Sequence, residues 1–278
     1  MTDSQSSAED CRPHVESSLM RESLVGQHIG AKTRTDKEVR IIPDLNVVTI
    51  GGMSILDRGK AALMPLIDEI IEVRKKHKFV VGVGGGARLR HTFHICLDLG
   101  LPTGGLAMVA GAVDEQNNRM VWALLAAHKG LSLNKENFLD LPLWLQEGMI
   151  PIMACMPPYH FWEPPAGHLG LPMNGNDLGA LLFADVLGAR SLILIKDEKG
   201  LYSADPKKDP SATFIPQIGA AALLELDLED LPIEHACLEV LLNARHVRKV
   251  QIINGLEPGL LGRALDGEHV GTIIDADL

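Results

Sequence analysis

The segment KFVVGVGGG, residues Lys78–Gly86, decides the fold class, because an apolar run enters a turn of three consecutive glycines. A short run that is apolar at nearly every position is typical of a strand buried on both faces. Glycine allows close approaches of the backbone that other residues do not. The segment therefore predicts a buried strand, a glycine turn and then a helix over Ala87–Leu99.

The same pattern recurs along the chain. LNVVTI, at Leu45–Ile50, is an apolar run that ends at Gly51 and Gly52. Further apolar runs are found at residues 149–155, 191–196, 249–254 and 271–274. Helical spacing is found at residues 59–76, 114–128, 177–187, 233–245 and 259–265. This alternation predicts an α/β fold, a three-layer αβα sandwich with a mostly parallel sheet, and ligands of such sheets bind at the carboxyl ends of the strands.

The composition favours an aliphatic core and argues against nucleic-acid binding. Apolar residues make up 46% of the 278 residues, aromatic residues only 4%, and the formal net charge is −10. Nonspecific nucleic-acid binding depends on clustered Lys and Arg, so we expect no nucleic-acid partner. The four cysteines, Cys11, Cys96, Cys155 and Cys237, are far apart in the sequence and are interpreted as reduced thiols.

Two regions are predicted. Residues 1–40 are polar and Ser-rich, which indicates a flexible N-terminal arm or, as the alternative, an arm that becomes ordered on a neighbouring subunit, and residues 41–278 are expected to form a single domain. No apolar segment has the length of a membrane helix, and the N-terminus has no secretory signal pattern. We therefore expect a cytoplasmic protein with no membrane partner.

The glycine turns are candidate phosphate loops, because backbone N–H groups and helix N-termini bind anions. Neither turn matches GxxxxGK[ST], and neither forms GxGxxG with an acidic residue about 20 positions later. A third candidate element is KDEKGLYSADP, Lys196–Pro206, which follows a predicted strand directly. Its polar turn, aromatic residue and Asp-Pro pair could close over a base and ribose, or form a surface hairpin.

Five ordered motifs resemble the amino-acid-kinase superfamily and its bacterial uridylate-kinase branch. They are IGG (50–52), GVGGG (82–86), NDLGALLFADVLGA (176–189), KDEKGLYSADP (196–206) and INGLEPGLLGRALDGEHVGTII (253–274). Within that branch the chain resembles the molybdenum storage protein subunits. The segments that carry this resemblance are GGARLRH (85–91), LDLGLPTGGLA (97–107), DEQN (114–117), MPPYHFW (156–162) and GEHVGTII (267–274).

The resemblance implies a function and a set of binding residues. Subunits of that family bind ATP with Mg²⁺ and pack molybdate or tungstate into polyoxometalate clusters inside a hexameric cage, so we expect a homo- or hetero-oligomer of homologous subunits, most simply a hexamer. The implied nucleotide-binding residues are Gly51, Gly52, Gly84, Gly85, Gly86, Arg88, Asp177, Lys196, Asp197, Tyr202, Asp205 and Pro206. Arg88 would face the acceptor side of the cleft.

One position departs from the family pattern. These families carry a Lys two residues before the glycine pair, where its ammonium group offsets charge on the γ-phosphoryl, and this chain has Thr49. Loss of such a cation weakens transition-state stabilisation of phosphoryl transfer. Lys199 also stands where an acidic residue usually precedes the glycine. Kinase activity is therefore doubtful, and a displaced lysine such as Lys196 is one possible compensation.

Candidate oxometalate contacts are His160, Gln116 and Asn117. His160 lies in the PPYH segment that matches the storage-protein loop facing the cage, while Gln116 and Asn117 are expected at the N-terminus of a helix that begins at Asp114. Imidazole and amide groups can donate hydrogen bonds to oxoanions. Each of them could equally be a surface residue or an ordinary part of its helix.

Three functions follow as hypotheses. The first is a subunit that binds ATP and stores molybdate or tungstate. The second is a uridylate-kinase-like phosphotransferase that acts on a small acceptor, and the third is a nucleotide-binding paralogue without catalysis. Thr49 argues against the second hypothesis and leaves the third open, whereas the PPYHFW and DEQN segments favour the first.

Overall fold

A computed structural model describes residues 38–155, 171, 175–228 and 230–278. His160, Cys11 and almost all of the predicted arm at residues 1–40 lie outside these residues. Within them, Arg40–Leu278 form one compact unit. The strands are β1 (Leu45–Ile50), β2 (Lys78–Val83), β3 (Gly130–Ser132), β4 (Ile150–Ala154), β5 (Ser191–Lys196), β6 (Leu201–Tyr202), β7 (Phe214–Ile215), β8 (Gln217–Gly219), β9 (Lys249–Asn254) and β10 (Thr272–Asp275).

Helices alternate with the strands along most of the described chain. They are α1 (Lys60–Val73), α2 (Gly86–Asp98), α3 (Thr103–Leu125), α4 (Leu141–Gln146), α5 (Asn176–Leu187), α6 (Ala220–Glu225), α7 (His235–Asn243) and α8 (Leu260–Leu265). Short 3₁₀ helices occur at Leu56–Arg58, Ala126–His128 and Lys135–Asp140. None of the helices in the described ranges is long and apolar enough to cross a membrane.

Eight strands form one sheet in the order β3-β4-β2-β1-β5-β9-β10-β8, and β6 pairs with β7 in a separate hairpin. All neighbours in the large sheet run parallel except β9 and β10, which are antiparallel. Every residue of β1 is buried, as expected for a central strand covered on both faces. The prediction of a mostly parallel α/β sandwich is confirmed.

Two hydrophobic clusters cover the two faces of the sheet. One cluster packs the sheet against α4, α5, α6 and α7, and the other packs it against α1, α3 and α8. Side chains alternate between the faces along each strand, so Val47 belongs to the first cluster and Val48 to the second. The three layers place the carboxyl ends of β1, β2 and β5 at one edge of the sheet.

The predicted start of one helix is wrong. Helix α3 begins at Thr103 and not at Asp114, so Gln116 and Asn117 lie in its middle and not at an N-terminus. The glycines of PTGGLA indicate a loop by local propensity, but Ala107 and Ala110 are fully buried, and this packing outweighs the propensity. The described cysteines, Cys96, Cys155 and Cys237, are free and buried.

Candidate functional site

A cavity of about 910 Å³ opens at the carboxyl edge of the sheet, above β1, β2 and β5. It is lined by all the predicted nucleotide-binding residues except Arg88. The structure therefore brings together three elements that are separated in the sequence: the two glycine turns and the KDEKGLYSADP segment. A cavity of this size is in the range of small-molecule and cofactor sites.

The two glycine turns pack backbone against backbone. A Cβ atom at Gly52 would lie 2.2 Å from the Gly86 nitrogen and 2.9 Å from the Gly84 oxygen, so no side chain fits there. The N–H of Gly84 donates to the Ile50 carbonyl at 3.0 Å, and this bond joins the end of β2 to the end of β1. Glycine is thus required at these positions by the packing of the fold as well as by any phosphate.

The first turn presents backbone donors to the cavity. Gly52, Met53 and Ser54 all line it, and no described residue accepts a hydrogen bond from their three consecutive N–H groups. The neighbouring N–H of Gly51, by contrast, donates to the Ile195 carbonyl at 3.0 Å. Successive unpartnered N–H groups form an anion-binding concavity, so this turn can cradle phosphate oxygens.

The second turn is held by side chains of the protein itself. The N–H of Ala87, at the start of α2, donates to Asp57 Oδ2 at 2.5 Å, so a carboxylate already caps this helix. The buried amide of Asn117 donates to the Gly84 and Gly85 carbonyls at 2.7 and 3.0 Å. Asn117 thus fixes the shape of the turn from behind.

Arg88 is directed to this supporting layer and not to the cavity. Its guanidinium donates a short hydrogen bond to Asn117 Oδ1 and lies 3.7 Å from Asp57 Oδ1. The amide of Asn117 therefore has its oxygen and its nitrogen engaged within the protein. Arg88 does not line the cavity, and its predicted role toward an acceptor stays a prediction.

Thr49 lines the cavity from the end of β1, at the position where a lysine was expected. It is 3% exposed, and its hydroxyl has no hydrogen-bond partner in the described part of the chain. A cation is therefore absent at this position, and a buried polar group without a partner stands in its place. Such a group costs stability unless a ligand satisfies it.

Lys196 lies at the floor of the cavity beside two carboxylates. Its Nζ is 3.1 Å from Asp177 Oδ1 and 3.0 Å from Asp177 Oδ2. Glu234 also lines the cavity, and its Oε2 accepts a hydrogen bond from the Leu178 N–H at 3.0 Å. Burial, and then the charge of Asp177, raise the pKa of Glu234 from its ordinary 4.5 to about 7. Lys196 is thus already paired with Asp177, and no described cation forms an ion pair with Glu234.

The KDEKGLYSADP segment forms one wall of the cavity. Asp197 accepts hydrogen bonds from Arg58 and from Lys207, the latter at 2.6 Å. Burial raises the pKa of Asp197, but these two hydrogen bonds outweigh it and hold the pKa below its ordinary value. Tyr202 packs edge-on against Phe214, with ring centroids 5.6 Å apart. An ionised carboxylate and an aromatic ring therefore face the space expected for a base and ribose.

Lys199, Gln116 and Asn117 do not line the cavity, and His160 lies outside the described residues. Lys199 places its ammonium group 4.3 Å from the centre of the Phe214 ring. Gln116 is exposed on α3, whereas Asn117 is fully buried, so the two residues do not share a surface. Within the described ranges, no three His, Cys, Asp or Glu side chains are arranged to hold a metal ion.

Sequence reasoning missed Asp57, Arg58 and Glu234. Asp57 and Arg58 stand in a short 3₁₀ turn after the first glycine pair, and Glu234 immediately precedes α7. No local pattern distinguishes them from surface charges. Only the pairing of distant elements brings them to the cavity and to the turns beside it.

Comparisons with known proteins agree with this geometry. The Amino acid kinase family profile matches residues 44–254. The molybdenum storage protein subunit beta of Azotobacter vinelandii is 43% identical over 262 residues, which cover 94% of this chain and 97% of that subunit. A uridylate kinase of Methanothermobacter thermautotrophicus is 29% identical over 238 residues, which cover 82% of this chain and 98% of the kinase.

A solved structure supports the fold. The uridylate kinase from Archaeoglobus fulgidus superposes with a TM-score of 0.65 at 22% identity, over 82% of this chain and 99% of that one. At this identity the likeness concerns the fold alone. The family match and the similarity to the storage subunit over nearly the whole chain reach further. The chain belongs to the amino acid kinase family and, within it, to the group of the molybdenum storage protein subunits.

Proposed function

We propose that this chain is a subunit of a molybdenum or tungsten storage assembly that binds ATP and accumulates molybdate or tungstate as polyoxometalate clusters. The observation that carries the nucleotide part is the row of three unpartnered N–H groups at Gly52, Met53 and Ser54 in the 910 Å³ cavity. The storage part rests on 43% identity over 94% of the chain to a molybdenum storage protein subunit.

The lining of the cavity fits a nucleotide bound with Mg²⁺. Among the described residues, the cationic side chains that line it are Arg58, Arg90, Lys196 and Lys207, and the acidic ones are Asp177, Asp197, Glu198, Asp205, Asp230 and Glu234. An excess of carboxylates repels phosphates unless a divalent cation accompanies them. Magnesium is usually held by one or two carboxylates together with the phosphate oxygens of the substrate, and it shields the phosphate charge.

Binding is better supported than turnover. The backbone donors of the first turn are in place, but position 49 supplies a hydroxyl where a cation would stabilise phosphoryl transfer. Lys196 is held by both carboxylate oxygens of Asp177 and so is not free to replace that cation without breaking the pair. We therefore propose that the subunit holds ATP and hydrolyses it slowly.

The assembly is proposed to be a hexamer of homologous subunits. The similar storage protein is described as having a subunit beta, which implies a second kind of subunit. A cage for clusters requires several chains around a closed space. The co-expressed partner subunit is therefore included in the experiment that follows.

Metal loading tests the storage function. The protein, with and without a homologous partner subunit, is purified from cells grown with molybdate or with tungstate, and its metal content is measured. We expect several metal atoms per chain in the assembly. Less than one atom per chain in every preparation contradicts storage, and ATP-dependent phosphorylation of UMP by the purified protein would instead support the kinase.

The substitution Thr49→Lys tests the missing cation, and Thr49→Met is the matched control of similar length without the charge. We expect ATP hydrolysis to rise roughly tenfold or more in the lysine variant only, because single charge-stabilising groups change turnover by such factors or larger ones. Equal hydrolysis in both variants would show that position 49 does not limit turnover. ATP binding is measured in parallel by calorimetry.

A further inference from the structure

Thr49 and Lys196 point to the same side of the sheet. In each strand the residue two positions earlier belongs to the hydrophobic cluster under α5 and α7. Because side chains alternate between faces, Thr49 and Lys196 are directed to that same side, at the carboxyl edge. The first turns of α5 and α7 face them there.

Two carboxylates occupy this corner. Asp177 is the second residue of α5, 6% exposed, and Glu234 immediately precedes α7. Glu234 Oε2 accepts from the Leu178 N–H at 3.0 Å, and a Cβ at Gly175 would lie 2.1 Å from Glu234 Oε1. The carboxylate of Glu234 thus lies directly over the backbone at the start of α5, beside Asp177.

The corner carries more negative than positive charge. Lys196 pairs with both oxygens of Asp177, and no described cation forms an ion pair with Glu234 within 4.0 Å. Thr49, 3% exposed on the same side, has a hydroxyl that no described residue hydrogen-bonds. An entering phosphate group would add negative charge, whereas a cation would offset the carboxylates and could accept an oxygen ligand.

We propose that Asp177 and Glu234 together hold a divalent cation at the floor of the cavity, on the side of the sheet toward which the Thr49 hydroxyl points. The inference deepens the proposed function and rests on it in one respect, since phosphate oxygens of the nucleotide complete the coordination. Two carboxylates are enough for a magnesium-type ion that shares phosphate ligands. This agrees with the absence of a three-residue metal cluster from the described ranges.

Manganese tests the site with a readout that is independent of activity. Free Mn²⁺ is measured by electron paramagnetic resonance while chelator-treated protein is titrated, with and without a non-hydrolysable ATP analogue. The variants are Glu234→Gln and, as the matched control, Glu239→Gln, which removes an exposed carboxylate from the helix that Glu234 precedes. Thermal melting checks that each variant is folded, and Glu234→Asp is measured as a second variant that shortens the ligand.

We expect one tightly held Mn²⁺ per wild-type chain with the analogue present. Glu234→Gln is expected to weaken Mn²⁺ binding at least tenfold, Glu234→Asp severalfold, and Glu239→Gln not at all. Without metal, Glu234→Gln is expected to bind the analogue more tightly than wild type, because it removes negative charge. A merely structural role of Glu234 would not produce this opposite change.

The outcomes separate this inference from the proposed function. If Glu234→Gln and Glu234→Asp bind Mn²⁺ within twofold of wild type, the cation site is wrong, even where the analogue binds normally. If wild type does not bind the analogue but binds Mn²⁺ in a manner that depends on Glu234, the nucleotide function fails and the cation site stands.

Discussion

The buried hydroxyl of Thr49 leads to a prediction about stability. Its oxygen has no described hydrogen-bond partner, and the residue is 3% exposed. A buried polar group without a partner costs about 1–3 kcal/mol, and its replacement by an apolar group of the same shape removes that cost. Valine has the shape of threonine with a methyl group in place of the hydroxyl. Thr49→Val should therefore raise the free energy of unfolding by about 1 kcal/mol, or Tm by roughly 2–4 °C.

Thr272 provides the matched control, because the same substitution should have the opposite effect there. Thr272 is fully buried. Its hydroxyl donates to the Ile215 carbonyl at 2.6 Å and accepts a hydrogen bond from the Leu201 N–H at 2.8 Å. Thr272→Val leaves both backbone groups without this partner and should lower the free energy of unfolding by about 1–3 kcal/mol.

Both variants are compared with wild type by urea unfolding, without nucleotide or metal and at one protein concentration, because subunit association changes apparent stability. The slope of the free energy against urea should stay constant, so that a shift of the midpoint reports stability. A loss of stability in Thr49→Val that equals the loss in Thr272→Val would refute the reasoning. In that case the Thr49 hydroxyl must be satisfied in solution.

Three further substitutions test residues that hold the glycine turns or support the fold. Asn117→Asp loses the N–H donors that hold the glycine turn, so nucleotide affinity measured by calorimetry should fall at least tenfold; affinity within twofold of wild type would contradict this. Gly86 has a φ of 69°, and a Cβ atom there would collide with the Asp57 carboxylate. Gly86→Ala should therefore lower Tm by several degrees. Asp185→Ala removes the acceptor of three N–H groups at residues 245–247 and should cost about 2–4 kcal/mol in urea unfolding, whereas an unchanged midpoint would refute it.

The strands could be predicted from the sequence because burial on both faces leaves a plain signal. The apolar runs at residues 45–50, 191–196 and 249–254 match β1, β5 and β9 at both ends. The start of α3 could not be predicted, since PTGGLA has the composition of a loop. There the contacts of Ala107 and Ala110 with Leu89 and Phe93 of the preceding helix determine the helix, and a linear pattern does not show these contacts.

The site was predictable in its loops and not in its charges. Eleven of the twelve predicted nucleotide-binding residues line the cavity, because glycine after a strand is visible in a linear pattern. The contact of Asp57 joins residues 30 positions apart, and that of Glu234 joins residues 56 apart. Single carboxylates in polar segments are common, so only the folded structure distinguishes these two from solvated charges.

The glycine motifs and the chemistry they are associated with can be separated in this chain. Gly52 and Gly86 approach so closely that the fold itself excludes a side chain, whatever the turns bind. Selection for the fold alone would therefore preserve both motifs, and their presence is not evidence of turnover. Thr49 bears directly on turnover, because it stands at the end of the same strand and the fold does not require a cation there. A subunit that retains the glycine turns and lacks the cation would be suited to holding a nucleotide, and Thr49→Lys is the change expected to speed its hydrolysis.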